Sequence, residues 1–208
     1  MGILAALLAA AFLVTSPVAA GGTTSGLTGL VEVKTADVLP PESLRFSLYY
    51  DSHSAAFQPA VAFGILPGLE VAVNGSSGGP DGDGEMGLAA KIGVLAETSD
   101  LPGLALGFTW GGGDTPSFFG TLSKRLGSLW RLHGGLTTVE GNPFFIGLSG
   151  LLNPVQTGGG FPPTTLIIEA DRDLRVGARF NLAAGLDATV AIRDLDSFQM
   201  GVGYQTSF

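Results

Sequence analysis

The chain has 208 residues, with 10 Lys plus Arg against 18 Asp plus Glu and a formal net charge of −8. That balance lacks the basic footprint of a nucleic-acid binder and excludes that class; the absence of Cys excludes disulfide frameworks, thiolate metal sites and cysteine nucleophiles. Charged residues are only 13% and mean hydropathy is +0.39, so apolar surface must be hidden somewhere other than a conventional soluble core.

Residues 3–14, ILAALLAAAFLV, are apolar but too short to span a bilayer, which needs about 20 residues. Thr15-Ser16-Pro17 break the run, and Val18-Ala19-Ala20 present small residues for cleavage before Gly21. Residues 1–20 are expected to be a signal peptide removed on export. Residues 21–42 are a lead, in which Leu30–Leu39 is either a short wall strand or a segment tucked into a lumen, halted by Pro40-Pro41.

From Ser43 onward, apolar and polar residues alternate with period 2, the mark of strands with two different faces. Leu44, Phe46, Leu48 and Tyr50 lie on one face of the first segment, with Arg45, Ser47, Tyr49 and Asp51 opposite. Phe57–Leu66 follows, and Pro67-Gly68 turns the chain into Leu69, Val71 and Val73. Residues 75–84, GSSGGPDGDG, read as a loop before Met86, Leu88, Ala90, Ile92 and Val94. Ser99–Gly103 leads into Leu104, Leu106, Phe108 and Trp110, and 111–116 is a second loop. Ser117–Leu126 and Trp130–Val139 form a hairpin, and Phe144–Leu152 and Thr165–Asp171 flank the irregular link 153–163. Arg175–Phe208 closes the chain as three strands with hardly any loop between them.

Segments of roughly ten residues, alternating apolar and polar and ending on an aromatic strand, are the pattern of an outer-membrane β-barrel. The fold expected over residues 43–208 is an all-β transmembrane antiparallel barrel of about 12 strands, within a range of 10 to 14. Short turns at Pro67-Gly68, Ser99–Gly103, Gly127–Leu129 and Ala184-Gly185 fit a periplasmic side and the longer 75–84 and 111–116 loops the outside, with 153–163 the exception in length. Tyr50, Phe57 and Trp110 would mark one rim, and Trp130 and Phe208 the other.

The lumen face would carry Arg45, Glu70, Glu85, Lys91, Arg131, His133, Glu169, Arg179, Asp187 and Arg193 among many Gly and Ala. Inside a membrane such charges must pair or meet water, so they imply a water-filled passage or inter-strand ion pairs, with Glu169 and Arg179 a candidate pair on adjacent strands. Gly203, Tyr204 and Phe208 resemble the C-terminal signal that barrel-assembly machinery recognises.

Thr28–Arg45, TGLVEVKTADVLPPESLR, resembles the opening of the YjbH-like exopolysaccharide-associated outer-membrane barrels, with Lys34 where that family tends to have Pro. Pro67–Val73, Ser123-Lys124-Arg125 and Leu166–Arg179 are similar to further segments of the same family. The resemblance implies an envelope protein linked to polysaccharide production or export, and it carries over no catalytic residue.

Candidate chemistry is sparse. Asp51-Ser52-His53-Ser54 supplies acid, base and nucleophile types in one loop, but a triad needs them to converge from separate elements, and no Gly-x-Ser-x-Gly elbow occurs. His133 beside Arg131 is a second candidate base. Pro80–Glu85 matches only the start of a calcium loop. The triplets Gly111–Gly113 and Gly158–Gly160 open no helix and read as turns. The expectation is a non-enzymatic barrel without metal or cofactor, serving envelope transport or polysaccharide export. Its partners would be outer-membrane lipid, the assembly machinery and polysaccharide, with no nucleic acid. The rival readings are a structural or adhesive barrel with a closed lumen and a secreted carbohydrate-binding β-sandwich.

Overall fold

The computed structural model describes residues 21–78, 84–111, 115–139, 141–153 and 161–208. The expected signal peptide, residues 80–83 of the calcium-like fragment, and most of both glycine triplets lie outside them.

Twelve antiparallel strands close on themselves. They are β1 (Ser43–Asp51), β2 (Ala56–Leu66), β3 (Leu69–Gly78), β4 (Glu85–Leu95), β5 (Gly103–Gly111), β6 (Ser117–Leu126), β7 (Trp130–Thr137), β8 (Phe144–Leu151), β9 (Thr164–Ala170), β10 (Leu174–Ala183), β11 (Leu186–Arg193) and β12 (Ser197–Ser207). Each pairs with its sequence neighbours, and β1 meets β12 from Ser43↔Ser207 to Asp51↔Gln199, which leaves no open edge. Where a turn has only two residues, glycine takes the left-handed conformation, as at Gly68 (φ 79°) and Gly185 (φ 75°). Residues 75–78, read from sequence as loop, extend β3 instead, because the long β2 and β4 offer them partners at Phe57↔Ser77 and Ser76↔Glu85.

The two faces separate as the alternation requires. Outward side chains such as Leu48, Ile65, Leu88, Leu106, Ile146 and Val190 are 43–54% exposed. Leaving a Leu or Ile in water forgoes about 1.5–3 kcal/mol each, so a surface made of them suits lipid and not solvent. Tyr50 stacks on Phe57 and Phe198 at 5.0 and 6.1 Å near the end of the barrel away from Ser43. Trp130 lies toward the opposite end, its ring covering Gly150 on the outer face.

Both Ser43 and Phe208 sit at one end, which we call the terminal mouth. The connections there include the two longest, 96–102 and 152–163, so length does not divide between the two ends as expected. On the inner face, glycines admit aromatic rings from the neighbouring strand: Tyr49 covers Gly201, Phe119 covers Gly107 and Phe145 covers Gly135. These rings and the small Ala62, Ala72, Ala89 and Ala191 surround the apolar core.

That core is completed by residues that belong to no strand. Leu27, Leu30, Val31, Val33 and Leu39 are 0–4% exposed inside the barrel. Of the two readings of Leu30–Leu39, the structure takes the lumenal one. The stretch from Thr28 to Leu39, which resembles the opening of the YjbH-like barrels, is therefore inside the wall, not part of it. A twelve-strand barrel is wide enough to hold a chain, and inward Ala and Gly make the room.

Candidate functional site in the lumen

Residues 21–39 form a plug that folds on itself. Thr24 N–H donates to Val31 O (3.0 Å), Leu30 N–H to Val33 O (2.9 Å), and the pairs Gly22↔Thr28 and Gly29↔Lys34 bridge its turns. Such an irregular segment leaves many backbone groups without ladder partners. In a buried setting each must find one, and charged side chains of the wall supply them.

One clasp is made by β3 and β4, where Glu70 and Lys91 are directly opposite in register. Thr28 N–H and Leu39 N–H donate to the Glu70 carboxylate at 2.5 and 3.0 Å, and the Thr28 hydroxyl donates to it at 2.7 Å. Lys91 Nζ donates to Thr28 O at 2.7 Å and Thr35 O at 3.2 Å, and lies 3.7 Å from Glu70. Both side chains are fully buried. A second clasp is made by β9 and β10. The Glu169 carboxylate accepts three successive plug N–H groups, from Val31 (3.1 Å), Glu32 (2.9 Å) and Val33 (3.2 Å), a backbone nest for an anion. Arg179 donates to Gly29 O (3.1 Å) and to Leu30 O, while its Nε donates to the Thr189 hydroxyl (3.0 Å).

Glu169 and Arg179 are thus not the pair expected from sequence. Glu169 opposes Arg175 in register, 3.9 Å away, whereas Arg179 opposes Thr165. Four residues of strand separate the two cross-strand positions, about 13 Å, and Arg179 turns instead to Asp187 (3.8 Å). Asp187 also pairs with Arg45 at 2.6 Å across Gly203, where a side chain would collide with both. Gly203 therefore has a packing reason of its own. Tyr204 and Phe208 face outward and exposed, and Phe208 N–H donates to Glu42 O at 3.0 Å.

Near the terminal mouth, Arg131 holds Asp37 of the plug at 2.5 Å and Glu97 at 2.8 Å. Burial pushes the Asp37 carboxyl up, but the Arg131 guanidinium outweighs it and holds the group below the usual value of 3.8. Near the other mouth, Arg193 reaches Asp51 (3.3 Å) and Asp173 (3.7 Å), and Gln199 bridges Asp51 to Arg175. Arg175 also binds Asp171 and Asp173 at 2.8 and 2.9 Å. Glu85 has the parity of the lumen face but, as the first residue of β4, stands exposed at the rim.

Asp51, Arg175 and Gln199 share the inward parity of the residues singled out from sequence, which is the signal that could have found them. Asp37 and Glu97 lie outside the strands and carry no such signal.

The hydrolase-like candidates do not assemble. In the 52–55 turn the Asp51 carboxylate is taken by Arg193, the Ser52 hydroxyl accepts Phe198 N–H at 2.8 Å, and His53 is exposed. His133 is 2% exposed with serines on both ring nitrogens, Ser123 at 2.8 Å and Ser149 at 3.0 Å. Among the described residues no carboxylate bonds the ring, and Ser123 accepts the plug's Ala36 N–H. Among the described residues, no group of His, Asp and Glu is placed to hold a metal ion.

No family model and no characterised protein matches the chain in sequence. Among solved structures, the KdgM porin superposes with a TM-score of 0.56 at 7% identity, covering 80% of this chain and 99% of that one. The KdgM porin in complex with disordered oligogalacturonate gives the same values. A triple mutant of the Rhodopseudomonas blastica porin reaches a TM-score of 0.35 at 15% identity, over 74% of this chain and 55% of its own. At such identity the likeness to KdgM shows the fold: a closed, porin-like barrel of the outer-membrane kind.

Proposed function

We propose that the protein is a non-enzymatic outer-membrane barrel for envelope transport of carbohydrate, closed at rest by residues 21–39. One observation carries the proposal. Every hydrogen bond described between residues 21–39 and the barrel uses a barrel side chain, and none uses barrel backbone. Withdrawal of the plug would therefore break no strand ladder, and the charges it uncovers would be at home in water. The wall is thus compatible with both a filled and an open lumen. Carbohydrate as the cargo class is supported by the KdgM porin, whose complex is with oligogalacturonate, and by the resemblance of Thr28–Arg45 to the YjbH-like barrels. Kinship with that family, export through cleavage before Gly21, and insertion by the assembly machinery through the C-terminal strand belong to the same proposal.

The rival is a structural barrel whose lumen never opens, favoured by the apolar packing of Leu27, Val31 and Leu39 against Tyr49, Phe119 and Ile167. Conductance in planar bilayers separates them. The full chain is expected to be closed with rare openings, and a variant lacking residues 21–39 to conduct steadily. A deletion variant that shows the heat-dependent gel shift of a folded barrel yet passes no current would leave the structural reading standing.

A further inference from the structure

At the mouth away from the termini, a depression of about 300 Å³ opens over the plug, the lower end of the size range for small-molecule sites. Its floor is plug: Thr24, Ser25 and Glu32. Its wall is barrel: Gln58, Asn74 and Ser76. The floor is tied down by Thr24 Oγ1 donating to Glu32 at 2.6 Å and by Asn74 Nδ2 donating to Ser25 O at 3.0 Å. The Gln58 Oε1 atom is buried and, among the described residues, has no hydrogen-bond partner. A buried acceptor left unpaired is unfavourable, and a turn of the Gln58 amide into the depression lets a ligand hydroxyl donate to it.

The geometry points to this depression as a binding site for an uncharged saccharide, whose occupancy holds the plug in place. Hydroxyls and amides offer donors and acceptors to sugar hydroxyls. Among the described residues, the charged side chains lining the site are Glu32 and the rim residue Glu85, both carboxylates, so a uronate would meet like charge at the lining itself. Because Thr24, Ser25 and Glu32 of the lining belong to the plug, the complete site exists only in the closed barrel. A ligand that binds one state alone shifts the equilibrium toward that state. The inference rests on the carbohydrate reading above, and specifies a neutral sugar and a closing rather than an opening effect.

The test uses the full chain in detergent micelles, titrated calorimetrically with maltotriose, cellotriose and xylotriose, beside trigalacturonate. Amide exchange at Thr28 and Leu39 is followed in the same samples. The expected result is one site per chain for at least one uncharged trisaccharide, with trigalacturonate at least tenfold weaker. Gln58→Leu is expected to weaken binding at least tenfold, and Gln205→Leu at the terminal mouth to leave it unchanged; Ser76→Ala serves if Gln58→Leu lacks the heat-dependent shift. At 100 times its Kd the sugar is expected to slow exchange about 100-fold. Absence of binding by all three sugars, equal binding of trigalacturonate, binding indifferent to the site variants, or faster exchange would overturn the inference. If the barrel lacking residues 21–39 nevertheless conducts, the transport reading survives that failure.

Discussion

Replacing Lys91 with Met tests whether the wall charges hold the plug. Lys91 Nζ donates to Thr28 O and Thr35 O and sits 3.7 Å from a Glu70 carboxylate that is fully buried. Removing one partner of a buried ion pair costs about 3–5 kcal/mol, because the other charge stays behind without compensation. Glu70 retains the Thr28 and Leu39 N–H groups, which favours the lower part of that range, while two carbonyls lose a donor worth about 1 kcal/mol each. A loss of 3–5 kcal/mol shifts an equilibrium by roughly a hundred- to a few thousand-fold. The strand ladders do not involve Lys91's side chain, so this energy is expected to come out of plug docking and not barrel folding. Amide exchange at Thr28 and Leu39 should accelerate by that factor, open probability in planar bilayers should rise, and the gel shift of the folded barrel should persist. The double variant Lys91→Met with Glu70→Gln removes the stranded charge and should recover part of the loss. Unchanged exchange in the single variant would refute the clasp, as would a double variant whose loss equals the sum of the two singles.

Three further outcomes follow from the same geometry. Gly107→Val drives a side chain into the Phe119 ring and Ala90 O, and should lower barrel stability by about 1–3 kcal/mol, read as a lower temperature for the gel shift and partly relieved by Phe119→Ala. Val190→Arg puts a charge on the lipid face at a residue 47% exposed, and should cost about 2–4 kcal/mol near the bilayer midplane, measured by denaturant unfolding from vesicles; a change under about 0.5 kcal/mol would count against a lipid-facing surface. Asp37 is held below its usual value of 3.8 when docked against Arg131, so its contribution is fully present above that value and is lost as pH falls through the lower, docked one. Plug release measured by exchange should therefore include an acid-driven component below about pH 4, which Asp37→Asn abolishes.

The twelve strands were legible because each pairs with its chain neighbours, so period 2 alone marks where a strand runs and which side meets lipid. Leu44, Phe46 and Leu48 against Arg45 and Ser47 need no tertiary information to be sorted. The same parity placed Arg45, Lys91, His133, Glu169 and Asp187 on the inner face, where they are buried. Partnership was not legible. Inter-strand register decides it, and Glu169 faces Arg175 and not Arg179 because the short 171–173 turn sets that register.

Alternation by itself thus determined the barrel, its approximate strand number and the two faces of its wall. What fills the lumen was decided only by closure of the sheet. Residues 21–39 have no periodicity to mark them as interior, and their backbone groups are satisfied by side chains up to 157 positions away in sequence, as between Gly22 and Arg179. Twelve strands have to close before those side chains point at one another across a space the width of a chain, and only then does the lead segment have somewhere to go.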